Sequence, residues 1–352
     1  MQRSRHVDSL GMPAATIKKA IEKSGEKVMQ HRPFVLVVST VADIATDQVI
    51  AHLNAASVKL HRINTEDLPF RQGFSFSTPP DNGHEGWLEI AGASIPPPTS
   101  IWYRRVRSPA SPSGMDAGIY KFCLEETRAA LLGSITSPQT RWMSHPAAVW
   151  QAERKPFQLS VAHALGLRIP KTLVSNDPSK IRQFFGELGR MIVKPVHSGY
   201  IVSEGVEHSV FTTQVLAEHM DDLESAQLAP SIYQELIPKR FDIRVTIVGR
   251  QIFAAAIDSQ TDSEAVVDWR KTSDPHLPHY RVNLPADINY KLLRLMDRLN
   301  LDFAAIDLVE TPDGEYVFLE VNPNGQWLWI DDKLDLGISA AVAARLCLVD
   351  EA

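Results

Sequence analysis

Cysteine is nearly absent: among 352 residues only Cys123 and Cys347 carry a thiol. Two cysteines cannot build a disulfide framework, and their spacing matches no metal-ligand pattern. Both read as small buried hydrophobes in a reducing, cytoplasmic compartment. No apolar run approaches the ~20 residues of a membrane span. The N-terminus has no charged segment followed by an apolar one, so no secretory signal is expected. Positive charge is also short. A formal net charge of −6 argues against general nucleic-acid binding. The first β-α-β stretch has no G-x-G-x-x-G, and no Walker A motif follows, which argues against a Rossmann dinucleotide site and a P-loop NTPase. No internal repeat is visible.

What is present is a globular composition, 44% hydrophobic and 22% charged, long enough for two or three domains. Residues 1–31 read as an extension holding at most a weak amphipathic helix over 17–30. A strand over 34–40, a helix over 43–54 and a strand over 58–63 give a β-α-β start. Residues 69–100 are rich in Pro, Gly and Ser, with strands expected at 86–90 and 100–103. A helix over 115–132 closes this region, and Ser137-Pro138 marks a boundary. Beyond it a helix ends near Gly166, a strand starts at Ile169-Pro170, and helix, strand, helix and strand lead to Glu235. Strands over 241–248 and 251–258, a helix over 288–300, an acidic hairpin and a helix over 336–348 complete the chain. The segment Ile338–Leu348 could pack into the core or form a homodimer face, and core packing is the expectation.

The acidic hairpin FAAIDLVETPDGEYVFLEVNPNGQW, residues 303–327, carries the most chemistry. Asp313-Gly314 between two apolar, β-branched runs is a strong hairpin signal. A loop of two or four residues centred there sets Asp307 directly opposite Glu320, with Asn322 on the same face. A three-residue loop, which Pro312 also suits, would move Asp307 to the other face. Carboxylates ~5 Å apart repel, so an apolar hairpin gains no stability from them. A divalent cation turns that repulsion into a site, and two carboxylates with an amide carbonyl suit Mg²⁺. A solvated face explains Asp307 alone, but explains the trio at this spacing poorly.

Basic residues earlier in the chain matter most after this hairpin. Lys194 ends the apolar strand MIVKPV and precedes His197-Ser198-Gly199. A strand lysine either snorkels outward or meets an anion, and a Gly/Ser loop after it can cover phosphates. Lys155 opens the helix before Gly166, and spacing alone favours a solvated cation there. Arg244 shares a strand face with Asp242 in FDIRVTIV. They form either a weak surface ion pair or an arginine fork facing phosphate oxygens. Gln234-Glu235-Leu236-Ile237 links two strands, and its backbone could meet an adenine edge or serve as an ordinary linker. Arg104, Arg105 and Arg107 form a basic cluster that could meet an acidic peptide, with solvation or internal pairing the expectation.

In this order, Lys155, Lys194, QELI (234–237), DIRV (242–245) and the Asp307–Glu320–Asn322 trio resemble the ATP-grasp superfamily over about residues 138–340. WYRR (102–105), the stretch 141–178 and EVNPNGQWLWID (320–331) are most similar to the graspetide synthetases, the microviridin-ligase type of peptide maturase. The resemblance implies an α/β (α+β) ATP-grasp fold. A pre-ATP-grasp domain would span 32–137 and an ATP-grasp domain 138–352, divided into a lid at about 170–236 and a C-terminal subdomain at about 237–352. It implies an ADP-forming ligase that joins a carboxylate to an amine or alcohol, with ATP and Mg²⁺ (or Mn²⁺) as cofactors and a precursor peptide as substrate. Lys155 and Lys194 would contact phosphates. Gln234, Glu235, Leu236 and Ile237 would line the adenine hinge. Asp307, Glu320 and Asn322 would hold the metal. Arg244 would steady the transferred phosphate, and Asp242 would position Arg244 or touch nucleotide. The loop 197–209 departs from the family picture in having only scattered glycines, and 1–31 has no evident counterpart. Two other readings are a ligase adding amino acids to a protein or small molecule, and a nucleotide-binding regulator without turnover.

Overall fold

The unbroken aliphatic run Val35–Val38 lies at the centre of the first sheet, and all four side chains are fully buried. Such a run suits a parallel strand covered on both faces. The computed structural model describes residues 33–77, 88–136, 140–197, 199–203, 206–272, 274 and 276–348. The helix expected over 17–30, the first two residues of the strand expected at 86–90 and the Ser137-Pro138 boundary lie outside them.

The first of two compact units begins with β1 (Phe34–Ser39), α1 (Ile44–Ala55) and β2 (Lys59–Asn64). A small antiparallel sheet follows, made of β3 (Phe74–Phe76), β4 (Leu88–Ile90) and β5 (Ala93–Ile95). Then come β6 (Ser100–Tyr103), α2 (Ala117–Thr136) and β7 (Arg141–Trp142). The main sheet is parallel, in the order β2-β1-β6-β7. Arg104 follows β6 and is 1% exposed because its Nε donates to Asp43 Oδ2 at 2.7 Å. Internal pairing is therefore the fate of that member of the basic cluster.

The second unit, residues 146–336, opens with α3 (Pro146–Ala152) and α4 (Lys155–Ala164). Next come β8 (Thr172–Ser175), α5 (Pro178–Leu188), β9 (Met191–Pro195), the hairpin β10 (Tyr200–Ser203) with β11 (Val206–Ser209), β12 (Thr213–Val215) and β13 (Ser231–Glu235). These give an antiparallel sheet in the order β12-β9-β13-β8. A second antiparallel sheet has the order β16-β15-β14-β17-β18. Its strands are β14 (Phe241–Val248), β15 (Gln251–Ile257), β16 (His279–Arg281), β17 (Phe303–Glu310) and β18 (Tyr316–Asn322). Helix α6 (Ala286–Leu299) buries Ile288, Leu292, Leu295 and Leu299, spaced three and four apart as an amphipathic helix requires. They join Ile243, Val245 and Ile247 of β14 in one core. Because strand side chains alternate, the opposite face of β14 carries Asp242 and Arg244. Helix α7 (Leu328–Leu334) ends the unit.

The last helix, α8 (Ile338–Leu346), belongs to the first compact unit, whereas the sequence places 336–348 at the end of the second domain. It packs on α1, and Ile338, Val342, Ala343 and Leu346 are fully buried. Core packing is what its apolar face does.

Candidate active site

Residues Thr311–Glu315 join β17 to β18, with Gly314 at φ 79°. Near the turn, Glu310 faces Tyr316 and Leu308 faces Phe318. That is the odd-loop register, which by itself sets Asp307 against Leu319. A β-bulge between Asp307 and Leu308 shifts the pairing by one residue, so Asp307 faces Glu320 and Ala305 faces Asn322. The face shared by Asp307, Glu320 and Asn322 is the one expected from sequence. The route differs, since Leu319 as the extra residue does what an even loop was expected to do. On the other side of β17, Asp307 faces Arg244. One cross-strand row thus reads Arg244, Asp307, Glu320.

The row is charged and ordered. Arg244 Nη1 donates to both oxygens of Asp307, at 2.8 and 2.9 Å, and Nη2 donates to the Gln326 carbonyl at 3.0 Å. Its Nε–H is buried and has no acceptor among the described residues. Gly325 allows this close approach: a Cβ there would sit 2.3 Å from Ala305 Cβ and 3.1 Å from Arg244 Nη2. Burial pushes the Asp307 carboxyl up, Arg244 opposes that, and the Glu320 charge adds to it. Two carboxylates are therefore held together against their own repulsion.

Lys155 is the first residue of α4, where a cation has the wrong sign for the helix dipole. Its Nζ lies 3.1 Å from Glu320 Oε2 and donates to the Pro195 carbonyl at 3.4 Å, beside Lys194 at the end of β9. Burial lowers the Lys194 pKa, opposed by the Glu320 charge and assisted by Lys155. For Glu320 burial acts upward, but Lys194 and Lys155 outweigh it and hold the carboxyl down at about 2. Both lysines expected to meet phosphate thus act on the same carboxylate.

Three supporting residues escaped the sequence reading. Gln158, 2% exposed, accepts from Val321 N at 3.0 Å and donates to Val321 O at 2.7 Å, fixing β18 between Glu320 and Asn322. It stands one turn after Lys155 on α4, and that spacing was the only signal available. Arg270 lies electrostatically close to Asp307 and Glu320, and Asp268 grips it at 2.8 and 2.6 Å. These two come from a loop whose path no motif announces.

Asp242 sits on the same face but makes a different set of bonds. It accepts from Lys239 Nζ at 2.9 and 2.8 Å and from Ser259 at 2.5 Å, with no hydrogen bond to Arg244. In the Gln234–Ile237 link, the Gln234 side chain donates to Thr172 at 2.8 Å. The Glu235 and Leu236 N–H groups donate to the Lys171 and Arg190 carbonyls, at 3.0 and 3.1 Å. The Ile237 N–H has no protein acceptor among the described residues. Asn322 is exposed, and its Oδ1 accepts from Asn324 N at 3.0 Å.

Mg²⁺ fits this donor set. The ligand atoms are all oxygens, and the carboxylates face each other on one side of the sheet. The internal cations Arg244 and Lys155 now answer the charge that a metal would answer. Among the described residues no group of three His, Cys, Asp or Glu offers a competing metal site.

A family described as the MvdD pre-ATP grasp domain matches residues 34–149. The macrocyclase MdnC of Microcystis aeruginosa, solved with its precursor peptide MdnA, is 35% identical with a TM-score of 0.79, over 89% of this chain and 98% of that one. The chain belongs to the graspetide-type ATP-grasp ligases. A RiPP-associated ATP-grasp ligase from Chryseobacterium gregarium, solved with ADP and a leader and core peptide, is 28% identical with a TM-score of 0.80. It is matched over 90% of this chain and 96% of that one. Mouse (Mus musculus) N-acetylaspartylglutamate synthase A is 29% identical over 118 residues, which span 32% of this chain and only 30% of the synthase. The graspetide-type ligase is thus an ADP-forming, ATP-grasp enzyme. No helix among its described residues is long and apolar enough to cross a membrane.

Proposed function

We propose that this ligase activates Asp or Glu side chains of a ribosomal precursor peptide and joins them to side-chain hydroxyls or amines, giving ester or amide cross-links. The observation that carries this is the Arg244–Asp307–Glu320 row with both lysines on its outer carboxylate. The MdnC structure with its precursor peptide supports the choice of substrate.

In this reading Lys155 and Lys194 neutralise ATP phosphates, and the Ile237 N–H meets the adenine edge. Asp307, Glu320 and Asn322 hold Mg²⁺, with Mn²⁺ as a substitute. When bound, the metal supplies Lewis-acid polarisation of phosphate oxygens. The substrate carboxylate attacks the γ-phosphorus, and ADP leaves with the electrons of the broken P–O bond. Arg244, released from Asp307, turns its unanswered Nε–H and its fork to the phosphate of the acyl phosphate. Arg270 faces the same charge. The acceptor oxygen or nitrogen then attacks the acyl carbon, its proton is lost, and phosphate departs. Asp242 holds Lys239 and thereby the strand start, so its part is positioning. Activity in the cytoplasm and a homodimer belong to the same proposal.

The test is peptide-dependent ADP release with a parallel mass measurement. Loss of ~18 Da per bond together with ADP release is expected, as bond formation expels one water overall. The match to the synthase favours one other reading, a ligase that adds a free amino acid to a carboxylate. ADP release that needs a free amino acid and no peptide would decide for it. Nucleotide binding with no release under either condition would leave a regulator without turnover.

A further inference from the structure

At the far edge of the site face stands an aromatic wall. The rings of Trp269 and Trp329 stack with centroids 4.7 Å apart and planes tilted by 31°. His279 meets Trp329 edge-on, at 5.6 Å and 69°. The sheet register fixes where this wall lies. His279 pairs with Ile257, which pairs with Asp242, so His279 shares the face of Asp242 and Arg244. Two strand spacings of ~4.8 Å separate β16 from β14. The wall therefore stands on the order of 10 Å across the sheet from Asp242, with Arg244 two residues further along β14.

Short chain connections tie the wall to the charged row. Trp329 lies three residues after Gln326, whose carbonyl accepts from Arg244. Arg281 of β16 donates to the Leu334 carbonyl at 2.6 Å, which pins the far end of α7. Trp269 directly precedes Arg270, whose side chain is 51% exposed and interacts electrostatically with Asp307 and Glu320. Trp102 and Trp327 are 2% and 0% exposed, whereas Trp269 and Trp329 stay half-buried and outside the buried apolar core. They keep apolar surface available beside a cationic centre.

We propose that the Trp269–Trp329 wall is a specificity surface of the peptide site. It takes an aromatic or branched aliphatic side chain about two residues from the activated Asp or Glu. In an extended peptide, side chains two residues apart point the same way, ~7 Å from each other. Adding the reach of the acidic side chain spans the gap from the arginines to the indoles. The acid goes to Arg244 and Arg270, and the apolar neighbour covers the rings. This rests on the peptide-ligase reading above.

The test uses the full chain with Mg–ATP and short synthetic peptides. Each carries one Glu, one Thr or Lys acceptor, and Trp, Leu or Ala at successive distances from the Glu. Wild type should show a KM about 10-fold lower for Trp or Leu two residues away than for Ala, the size of one buried aromatic contact. Trp269→Leu and Trp329→Leu should erase that preference, mainly through KM, and Trp329→Phe should restore part of it. Thermal melting checks that the variants fold, and the Phe variant keeps the test open if a Leu variant does not. Equal KM for all flanks in wild type, or a preference that survives in the folded variants, overturns the wall. Absence of ADP release with every peptide in wild type instead overturns the peptide-ligase reading, and the wall's role with it.

Discussion

Two sets of opposed charges in the protein are built for different ends. In the first unit, Asp43 and Arg104 are 0% and 1% exposed. Burial brings the Arg104 pKa down to about 10 against the pull of Asp43, so the pair is a closed internal bond. In the second unit, Arg244–Asp307 and Lys155–Glu320 are 9%/22% and 20%/23% exposed. Each of these carboxylates touches a cation that another ligand can displace. The first pair is shut off from solvent and ties the residue before α1 to the residue after β6. The second set is half-open, and under the proposed function its internal cations stand where phosphate and metal charges would go.

Removing one partner should separate the two sets. Asp43→Asn removes the buried counter-charge of Arg104 and should cost about 3–5 kcal/mol of stability, read from urea midpoints. The double variant Asp43→Leu/Arg104→Met should recover most of that loss, since two apolar groups can replace a buried pair. Asp307→Ala or Glu320→Ala should leave a folded protein whose turnover falls roughly 100-fold or more, ~3 kcal/mol of barrier. Near-normal turnover in both variants would remove the metal assignment. Gln158→Leu should lose about 1–3 kcal/mol by stranding the Val321 backbone groups, and should raise the Mg²⁺ concentration needed for activity.

The pH dependence gives a smaller, directional effect. The Glu320 carboxyl is held at about 2, below its usual 4.5, so folding favours its charged form. Its contribution to stability is complete above about pH 4.5 and fades as the pH falls towards 2. The stability gap between wild type and Glu320→Gln should therefore narrow from about pH 6 to about pH 3. The smallest effect belongs to the exposed pair Arg168–Glu315, where Arg168→Ala should change stability by less than ~1 kcal/mol.

How much of this could be read from the chain follows the range of each interaction. The β-α-β start, the hairpin and α6 rest on local periodicity, and the sequence shows them. The face shared by Asp307, Glu320 and Asn322 follows from strand alternation with an even loop, whereas the turn is odd and the bulge at Leu319, which has no local signal, restores the pairing. Gln158 and Arg270 act across 163 residues in one case and from a single 3-10 turn between β15 and β16 in the other, so spacing could not expose them. Asp242 shows the reverse limit. Alternation set it beside Arg244, yet it bonds to Lys239, a residue of the preceding connection that pattern alone did not single out.

The bulge at Leu319 works as a phase correction. A strand carries a parity, and every residue added or removed flips it. On the turn side of Leu319 the hairpin runs in one parity, and on the site side in the other. Gln158 clamps the site side at Val321, so the parity there is set independently of the turn. The Thr311–Glu315 turn is thereby free to change length without carrying the change to Glu320. Deleting Leu319 itself would remove the bulge and let the turn-side register run unbroken into the site, with Glu320 still opposite Asp307.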